Sequence, residues 1–461
     1  MRLANIGVMV VVAIASVLGS VYRTLHAAEL SVEEARRFAL PLIESERIDG
    51  LSVGIIDGPR HFTFHLGAAN DGQTEADDNT IYEIGSISKV FTGLLLADAV
   101  TKDPGMLERT PNSRDCEVRL PLWQDQSITW LDLATHQSGL PRLADNFTTG
   151  QSKDPYATYD STKAIEFLRR HQLRRQPGTQ HEYSNFAFSW LGYLLANRER
   201  VSYEQLLKHR ITGPLEMTDT AITLAPNQSP RLATPHSSYG KETSYWDFAD
   251  LPGAGGIRSS ISDMMKFMHA QLDPLNSSLR ETSELAWKQH NPGSENHLAM
   301  GLGWYIARDG NTRFHNGQTG GFHSAMFVNR KRSIAVVVLA NTGPADEVDV
   351  LAERLTQRLA GIKVQPQKLS KATKVDRKAM ANLVGRYELS PTFIFDVNVI
   401  NDSLMVGITN QTTQEVFPIT EVRWFYKGVD AELTFELGEN GLAESLVLHQ
   451  NGIQQTAKRI D

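Results

Sequence analysis

The sequence predicts an α+β protein with two domains, and three observations support this. Strand-type runs lie near both ends of the first 360 residues with helical patterns between them, so one sheet is assembled from both ends of that stretch. Residues 362–378 are rich in Lys, Gln and Ser and lack an apolar period, as in a linker. Short alternating runs with turn signals recur after residue 383, which is typical of a small antiparallel sheet or barrel.

Local patterns predict the individual elements. Ser31 and Glu34 form a capping-box pattern that opens a helix ending near Ile48. The turn residues Asp57-Gly58-Pro59-Arg60 separate two strands of a hairpin, and a strongly apolar helix begins at Ser86. The other predicted elements are helices at 162–172, 186–198 and Glu347–Leu359, and strands at 51–56, 61–66, 302–307, 322–328, 333–340, 393–400, 403–408, 422–426, 431–437 and 445–448.

The composition excludes several classes of function. Of the 461 residues, 41% are hydrophobic and 21% are charged, as in an ordinary globular protein, and the net charge of −7 is spread along the chain. The sequence has no basic stripe or zinc knuckle, so nucleic acid is not an expected partner. It contains no nucleotide-binding loop and no His-Glu-x-x-His helix, so neither cofactor nor metal is expected. Cys116 is the only cysteine, which excludes an intrachain disulfide.

The N-terminal residues 1–28 predict export. A positively charged start is followed by an apolar run from Ile6 to about Leu18, the order found in secretory signals. The apolar segment extended to Tyr22 approaches the length of a short membrane span, so an uncleaved anchor is the alternative. Either way, we expect an exported protein, periplasmic or extracellular, with membrane anchoring only through this segment.

The first candidate catalytic motif is Ser86-Ile87-Ser88-Lys89, at the start of the apolar helix. Side chains three residues apart lie on one helix face, so Ser86 and Lys89 can touch. A serine hydroxyl needs a neighbouring base to become a nucleophile, and a lysine amine can be that base if burial or positive charge lowers its pKa. The alternative is a helix-capping serine followed by a solvated lysine.

The second motif is Tyr183-Ser184-Asn185. The pKa of tyrosine is about 10, and an adjacent Lys89 ammonium would favour the phenolate and make Tyr183 a second base. Asn185 would then contact both Lys89 and a substrate amide. The alternative is a buried tyrosine followed by a turn asparagine.

The third motif is His315-Asn316-Gly317-Gln318-Thr319-Gly320-Gly321, beside the late strands. Glycines on an edge strand let a substrate backbone approach and pair with the strand, so His315, Gly317 and Gln318 are candidate substrate-binding residues. The backbone N–H of Gln318, with that of Ser86, would form an oxyanion hole. The alternative is a Gly-rich hairpin turn with an exposed histidine.

Together, the three motifs resemble those of the class C β-lactamase and penicillin-binding-protein superfamily of serine hydrolases. Related enzymes carry S-x-x-K, S-D-N and K-T-G, and the class C-like branch has Y-x-N as its middle element, matched here by Tyr183 and Asn185. The resemblance covers about residues 30–360. It implies a mainly antiparallel sheet flanked by helices, a helical subdomain, and Ser86 in the cleft between them.

The sequence patterns, together with the resemblance, predict the domain boundaries. We expect a signal peptide or anchor at 1–28, a serine hydrolase domain at 29–362, a linker at 363–378 and a C-terminal domain at 379–461 that resembles a small lipocalin-like β-barrel. Segments that also resemble the family, around His136, at Ala254-Gly255-Gly256-Ile257 and at Gly301-Leu302-Gly303-Trp304, are interpreted as structural. His136 is interpreted as a residue that fixes a loop.

The third motif departs from the β-lactamase pattern because His315 stands where those enzymes have a lysine that helps bind the substrate carboxylate. The expected function is therefore hydrolysis of peptide bonds, including those of D-amino acids, or of ester bonds, through an acyl-enzyme on Ser86 with Lys89 and Tyr183 as proton carriers. The substrate would be a small molecule or peptide. The alternatives are a β-lactamase and a penicillin-binding sensor that does not turn over.

Overall fold

The computed structural model describes residues 29–70, 74–148, 153–411, 413–427, 431–450 and 452–461. The expected signal peptide or anchor at 1–28 lies outside the described residues. Among the helices that are described, none combines the length and apolar character needed to cross a membrane.

Ten α-helices are found in the described part of the chain, together with short 3₁₀ and π-helical turns. Ser31 caps the first helix, its hydroxyl accepting from the backbone N–H of Glu34 at 3.1 Å. The 3₁₀ turn at Gly85–Ile87 leads directly into the second helix. The helices are α1 (Val32–Glu44), α2 (Ser88–Lys102), α3 (Trp130–Ala134), α4 (Ser161–Arg170), α5 (Asn185–Glu199), α6 (Tyr203–Leu207), α7 (Ile261–Leu272), α8 (Arg280–Trp287), α9 (Glu347–Leu359) and α10 (Arg377–Ala381).

The strands that precede residue 362 are β1 (Gly50–Asp57), β2 (Arg60–Asn70), β3 (Thr74–Glu75), β4 (Ile81–Glu83), β5 (Leu122–Trp123), β6 (Gln126–Ser127), β7 (His236–Ser237), β8 (Arg258–Ser260), β9 (Ala299–Met300), β10 (Tyr305–Ile306), β11 (Thr312–Gln318), β12 (His323–Asn329), β13 (Ile334–Ala340) and β14 (Thr342–Gly343). Within the described residues, eight of them form the main sheet, in the order β3-β2-β1-β13-β12-β11-β10-β9.

The main sheet is assembled from both ends of its domain, as the sequence predicts. The early strand β1 pairs antiparallel with the late strand β13, with Leu51 opposite Ala340 and Asp57 opposite Ile334. The other paired neighbours in this sheet are antiparallel as well. The expected α+β fold with a mainly antiparallel sheet is therefore confirmed.

Both faces of the central strands are buried. On β13, Val336 and Val338 pack into one core with helices α1 and α9, whereas Val337 and Leu339 pack into the other with α2, α5 and α7. Successive side chains of a strand point to opposite faces, so a continuous apolar run fits a sheet that is covered on both sides. The active-site motifs lie on the side of α2 and α5.

The C-terminal residues form a closed antiparallel barrel, so the barrel expected from the alternating runs is confirmed. Within the described residues it has eight strands, and β15 closes it by pairing with β22. Its interior holds Tyr387, Phe395, Trp424 and Leu446, all buried. The strands are β15 (Gly385–Ser390), β16 (Phe393–Ile400), β17 (Ser403–Ile408), β18 (Gln414–Pro418), β19 (Arg423–Phe425), β20 (Ala431–Leu437), β21 (Ala443–Gln450) and β22 (Ile453–Arg459).

Two local expectations differ from the structure. The strand expected at 302–307 is only the two-residue strand β10, because Gly301 and Gly303 lie in a turn that packs against α2. Helix α1 ends at Glu44 rather than near Ile48, and Ser45 caps it with its backbone N–H.

The packing of α2 against this turn generates a stability prediction. A Cβ atom at Gly93 would lie 2.2 Å from the carbonyl oxygen of Leu302, and neither backbone can move freely in a packed core. We expect Gly93→Ala to lower the free energy of unfolding by about 1–3 kcal/mol, measured by denaturant titration. Lys102→Ala, at the partly exposed end of the same helix, is the control and should cost less than about 1 kcal/mol. Equal stability of the two variants would contradict the packing argument.

Candidate active site

Ser86 and Lys89 meet at the start of α2. Ser86 lies in the 3₁₀ turn, and its Oγ is 2.9 Å from Lys89 Nζ. The turn needs glycine at position 85, where φ is +49° and a Cβ atom would lie 2.5 Å from the backbone nitrogen of Gln318. This close approach brings the first and third motifs together.

Lys89 is fully buried and has no carboxylate partner among the described residues. Its Nζ donates to the backbone carbonyl oxygen of Ala254 at 2.7 Å. Burial holds the pKa of Lys89 well below its usual value, and the positive charge of Arg142 lowers that pKa further. This shift favours the neutral amine, and a neutral amine can accept a proton from Ser86.

Tyr183 completes the cluster, since its hydroxyl lies 2.8 Å from Ser86 Oγ and donates to it. Burial raises the pKa of Tyr183 to about 12, against smaller lowering effects of the bond to Ser86 and the charge of Arg142. The expectation of a phenolate stabilised by a Lys89 ammonium therefore does not fit this geometry. Because the two groups are buried together, both are favoured in their neutral forms.

His136 supports Tyr183 from behind. Its carbonyl accepts from the N–H of Glu182 at 2.8 Å, its Nδ1 accepts from the N–H of Ser184 at 3.1 Å, and its ring centre lies 4.4 Å from that of Tyr183. His136 has a φ of +58° and is fully buried. These contacts fit the expected loop-fixing role.

Asn185 lies at the start of α5, beside the cluster. Its amide Nδ2 donates to Tyr156 Oη at 3.0 Å, and its Oδ1 is buried without a partner among the described residues. The structure gives no hydrogen bond between Asn185 and Lys89 within the described chain, where Lys89 bonds to Ser86 and Ala254 instead. The expected contact with Lys89 is therefore absent, and the unpaired Oδ1 is the atom left to accept from a substrate amide.

His315 lies on β11 and is buried. Its Nδ1 donates to the carbonyl oxygen of Asn316 at 2.6 Å, while its Nε2 has no partner among the described residues. Burial, together with the nearby Lys89, lowers the pKa of His315 to about 3. His315 is therefore neutral, and the expected alternative of an exposed turn histidine is wrong because the residue lies within the sheet.

Gly317 and Gln318 are the last residues of β11. Glycine was expected here to let a substrate backbone approach, but the structure gives a different reason for Gly317. A Cβ atom at Gly317 would lie 2.0 Å from the carbonyl oxygen of Ile84, so the chain leading to Ser86 is what excludes a side chain. Strand β10 pairs with β11 only at Arg313 and Phe314, which leaves the end of β11 open on that side within the described residues. A substrate backbone can pair there.

An aromatic wall lies next to Asn185. Tyr156 stacks on Phe248 with ring centres 4.4 Å apart and also contacts Phe147 and Trp246. The indole Nε1 of Trp246 donates to the carbonyl oxygen of Lys153 at 3.0 Å. The sequence motifs gave no sign of this wall, because its members come from two separate loops.

Two polar groups of the site were also missed from the sequence. The carbonyl oxygen of Ala254 binds Lys89, but a backbone atom leaves no signature in residue types. Arg142 is exposed, and its guanidinium carbon lies 4.9 Å from the centre of the Tyr183 ring. Its position directly after Gly139-Leu140-Pro141 was the only available signal.

The described residues contain one group whose ligand atoms are close enough to hold a metal ion, namely His323, Asp346 and Asp349. The N–H of Ala345 donates to His323 Nδ1 at 3.1 Å, so the ring hydrogen is on Nε2, which faces Asp349 Oδ1 at 3.2 Å. A protonated nitrogen cannot bind a metal. His323 and Asp349 therefore form a close polar contact between β12 and α9.

Comparison with known proteins agrees with this geometry. The family described as "Beta-lactamase" matches residues 35–360, and a "Domain of unknown function (DUF3471)" matches residues 369–459. A "Beta-lactamase" of Escherichia coli K12 is 28% identical over 273 residues, covering 58% of this chain and 68% of its own. The "D-alanyl-D-alanine-carboxypeptidase/endopeptidase AmpH" of the same organism is 27% identical over 352 residues, covering 70% and 88%.

A third relative extends the similarity into the C-terminal part of the chain. The "Penicillin-binding protein 4*" of Bacillus subtilis is 24% identical over 418 residues, which cover 83% of this chain and 88% of the relative. Ser86, Lys89, Tyr183 and His315 all lie within the stretch matched by the family. The chain therefore belongs to the beta-lactamase family and is a serine hydrolase of that superfamily.

Proposed function

We propose that this enzyme hydrolyses peptide or ester bonds through an acyl-enzyme on Ser86. The observation that carries the proposal is that Ser86 Oγ lies within 3 Å of both a buried lysine amine and a tyrosine hydroxyl. A nucleophile in contact with a base, and a second proton carrier beside it, are what acyl transfer requires.

In the acylation step, Ser86 Oγ attacks the substrate carbonyl while the neutral amine of Lys89 takes the hydroxyl proton. The low pKa of Lys89 supports this role, because a lysine that is protonated at neutral pH cannot act as a base. The carbonyl of Ala254 keeps the amine pointed at Ser86.

Tyr183 then delivers a proton to the leaving group. Its raised pKa keeps the hydroxyl protonated, so Tyr183 acts as an acid. The Lys89 ammonium, whose Nζ lies 4.9 Å from the centre of the Tyr183 ring, then returns to Tyr183 the proton that Lys89 took from Ser86. In the second half of the reaction water replaces the leaving group. In this step the two residues exchange roles. Tyr183, after passing its proton to Lys89, takes a proton from the water, and Lys89 returns a proton to Ser86 Oγ as the acyl group is released.

The tetrahedral oxyanion would be stabilised by the backbone N–H groups of Ser86 and Gln318. The absence of a side chain at Gly85 supports this, because only glycine lets the turn approach the Gln318 nitrogen so closely. Preorganised donors of this kind are usually worth about 10²–10³ in kcat.

For the substrate we propose peptides, including those with D-amino acids, or small esters, handled by an exported enzyme. A relative named as a D-alanyl-D-alanine-carboxypeptidase/endopeptidase matches this chain over 88% of its own length, and the apolar segment in residues 1–28 is of the secretory type. Asn185 Oδ1, buried and unpaired among the described residues, would accept from the substrate amide.

A β-lactamase is the second candidate, because one relative of that name is 28% identical. The neutral state of His315 weighs against it. A lysine at this place would offer a positive charge to the carboxylate of a β-lactam, whereas a histidine with a pKa of about 3 offers none.

The nucleophile is tested by Ser86→Ala. Because removal of the hydroxyl leaves no group to acylate, we expect kcat to fall by about 10³-fold or more on p-nitrophenyl esters and D-alanyl anilides. Ser278→Ala, on an exposed hydroxyl far along the chain, is the matched control and should keep wild-type rates. Retention of hydrolysis by Ser86→Ala would exclude the proposed mechanism.

The pH dependence of kcat/KM tests the protonation states. Lys89 is active only when unprotonated, so activity should be lost as pH falls through its lowered pKa and be constant above it. The plateau should continue past the usual tyrosine pKa of about 10, because that of Tyr183 is raised to about 12. Lys89→Arg, which stays charged, should be inactive at every pH. An inflection near the ordinary lysine value would show that the pKa of Lys89 is not lowered, and a profile without any loss of activity at low pH would show that Lys89 is not the base.

Mass spectrometry with penicillin separates the hydrolase from a sensor. We expect an adduct on Ser86 that disappears with time, and nitrocefin turnover at least about tenfold slower than turnover of a D-peptide anilide, because His315 gives no charge to the β-lactam carboxylate. A permanent adduct without turnover of any substrate favours a sensor. Nitrocefin turnover equal to that of the anilide favours the β-lactamase.

A further inference from the structure

The three motifs leave the site without a fixed positive charge. Burial lowers the pKa of Lys89 and so disfavours its charged form, and it lowers the pKa of His315 to about 3, so that His315 is neutral. Arg258, also buried, forms ion pairs with Glu83 and Asp247, so its charge is already balanced. A substrate that carries a carboxylate would therefore have to find its counter-charge elsewhere.

Arg142 is the cation whose charge acts on both Lys89 and Tyr183. Its guanidinium lies over the ring of Tyr183, and the hydroxyl of that ring contacts Ser86 Oγ. Its charge also acts to lower the pKa of Tyr156 and that of Tyr305, so it influences several tyrosines around the site. Within the described residues it forms no ion pair.

We propose that Arg142 determines specificity by binding a carboxylate of the substrate close to the scissile carbonyl. This inference rests on the proposed function and names its substrate class, namely acyl compounds with an anionic group within reach of Arg142. The guanidinium takes over the part that a motif lysine plays in β-lactamases, from a different segment of the chain.

The surroundings of Arg142 suit this role. Its carbonyl accepts from the N–H groups of Asn185 and Phe186, both at 3.1 Å, so its backbone is fixed to the start of α5. Stacking on Tyr183 limits the rotamers of the side chain and leaves the N–H fork free to bind a carboxylate through two bonds.

Arg142 has a second effect, on the pKa of Lys89, which the experiment must distinguish from carboxylate binding. Its charge helps to keep Lys89 neutral, so its removal changes the pH profile for every substrate alike. Recognition of a carboxylate, in contrast, changes the rate only for substrates that carry one. All comparisons are therefore made on the pH plateau, as the ratio of kcat/KM for a charged substrate to that for its uncharged amide.

Two substrate pairs locate the carboxylate. Acetyl-D-alanyl-D-alanine and acetyl-D-alanyl-D-alaninamide differ on the leaving-group side, whereas succinyl-D-alanyl p-nitroanilide and its succinamoyl counterpart differ on the acyl side. In Arg142→Gln we expect the charged-to-neutral ratio to fall by about tenfold to a hundredfold for one pair. Arg142→Lys should give an intermediate ratio, because it keeps the charge and loses the fork.

Arg169→Gln, on an exposed residue of α4, is the matched control and should leave both ratios unchanged. The proposal is overturned if Arg142→Gln leaves both ratios as in the wild type, or if the wild type does not prefer the charged member of either pair. In those cases hydrolysis of the neutral substrates would still support the acyl-enzyme mechanism. Loss of that mechanism would instead appear as unchanged activity of Ser86→Ala.

Discussion

The burial of one amine without a counter-ion is the constraint on which the site depends. Lys89 is surrounded by the core that α2 and α5 share, and its polar contacts in the described chain are Ser86 Oγ and the carbonyl of Ala254. A carboxylate in that place would stabilise the ammonium and remove the base. The apolar packing that stabilises the domain therefore also lowers the pKa of Lys89.

A set of close backbone contacts keeps that amine in position. A Cβ atom at Gly303 would lie 2.3 Å from the carbonyl oxygen of Lys89, and one at Gly317 would meet the carbonyl of Ile84. Glycine at these places lets two separate segments reach the backbone on either side of Ser86. The Gly301-Leu302-Gly303-Trp304 segment is thus structural, as its sequence suggests, but it acts directly on the residue that carries the base.

Local sequence patterns predicted much of this architecture. Helix α9 has the predicted bounds, and the Ser86–Lys89 contact follows from residues three apart at a helix start, since both features depend on neighbours in the chain. The partner of Asn185 and the pKa of Tyr183 were not predicted correctly, because both depend on groups brought together from distant segments. Tyr156, which Asn185 binds, comes from a loop without any motif.

At the third motif, the charge of a residue depends on its surroundings and not on its position in the sequence. His315 was noticed because it replaces a lysine, yet residue type alone did not show whether it would be charged. His315 is neutral because it is buried between neighbouring strands. The positive charge for a substrate carboxylate would therefore come from Arg142, about 170 residues earlier in the sequence.

The barrel is connected to the catalytic side of the first domain through a short chain of contacts. Phe417 of β18 stacks against Tyr239, which lies on the loop that leads to Trp246. The N–H of Trp246 donates to Glu83 Oε1 at 2.9 Å, and Glu83 precedes Ser86 by three residues. Lys427 also donates to the carbonyl of Glu46 at 3.1 Å. Because the loop is held at both ends, one by the barrel and one by the strand before Ser86, the position of the barrel constrains the aromatic wall of the site.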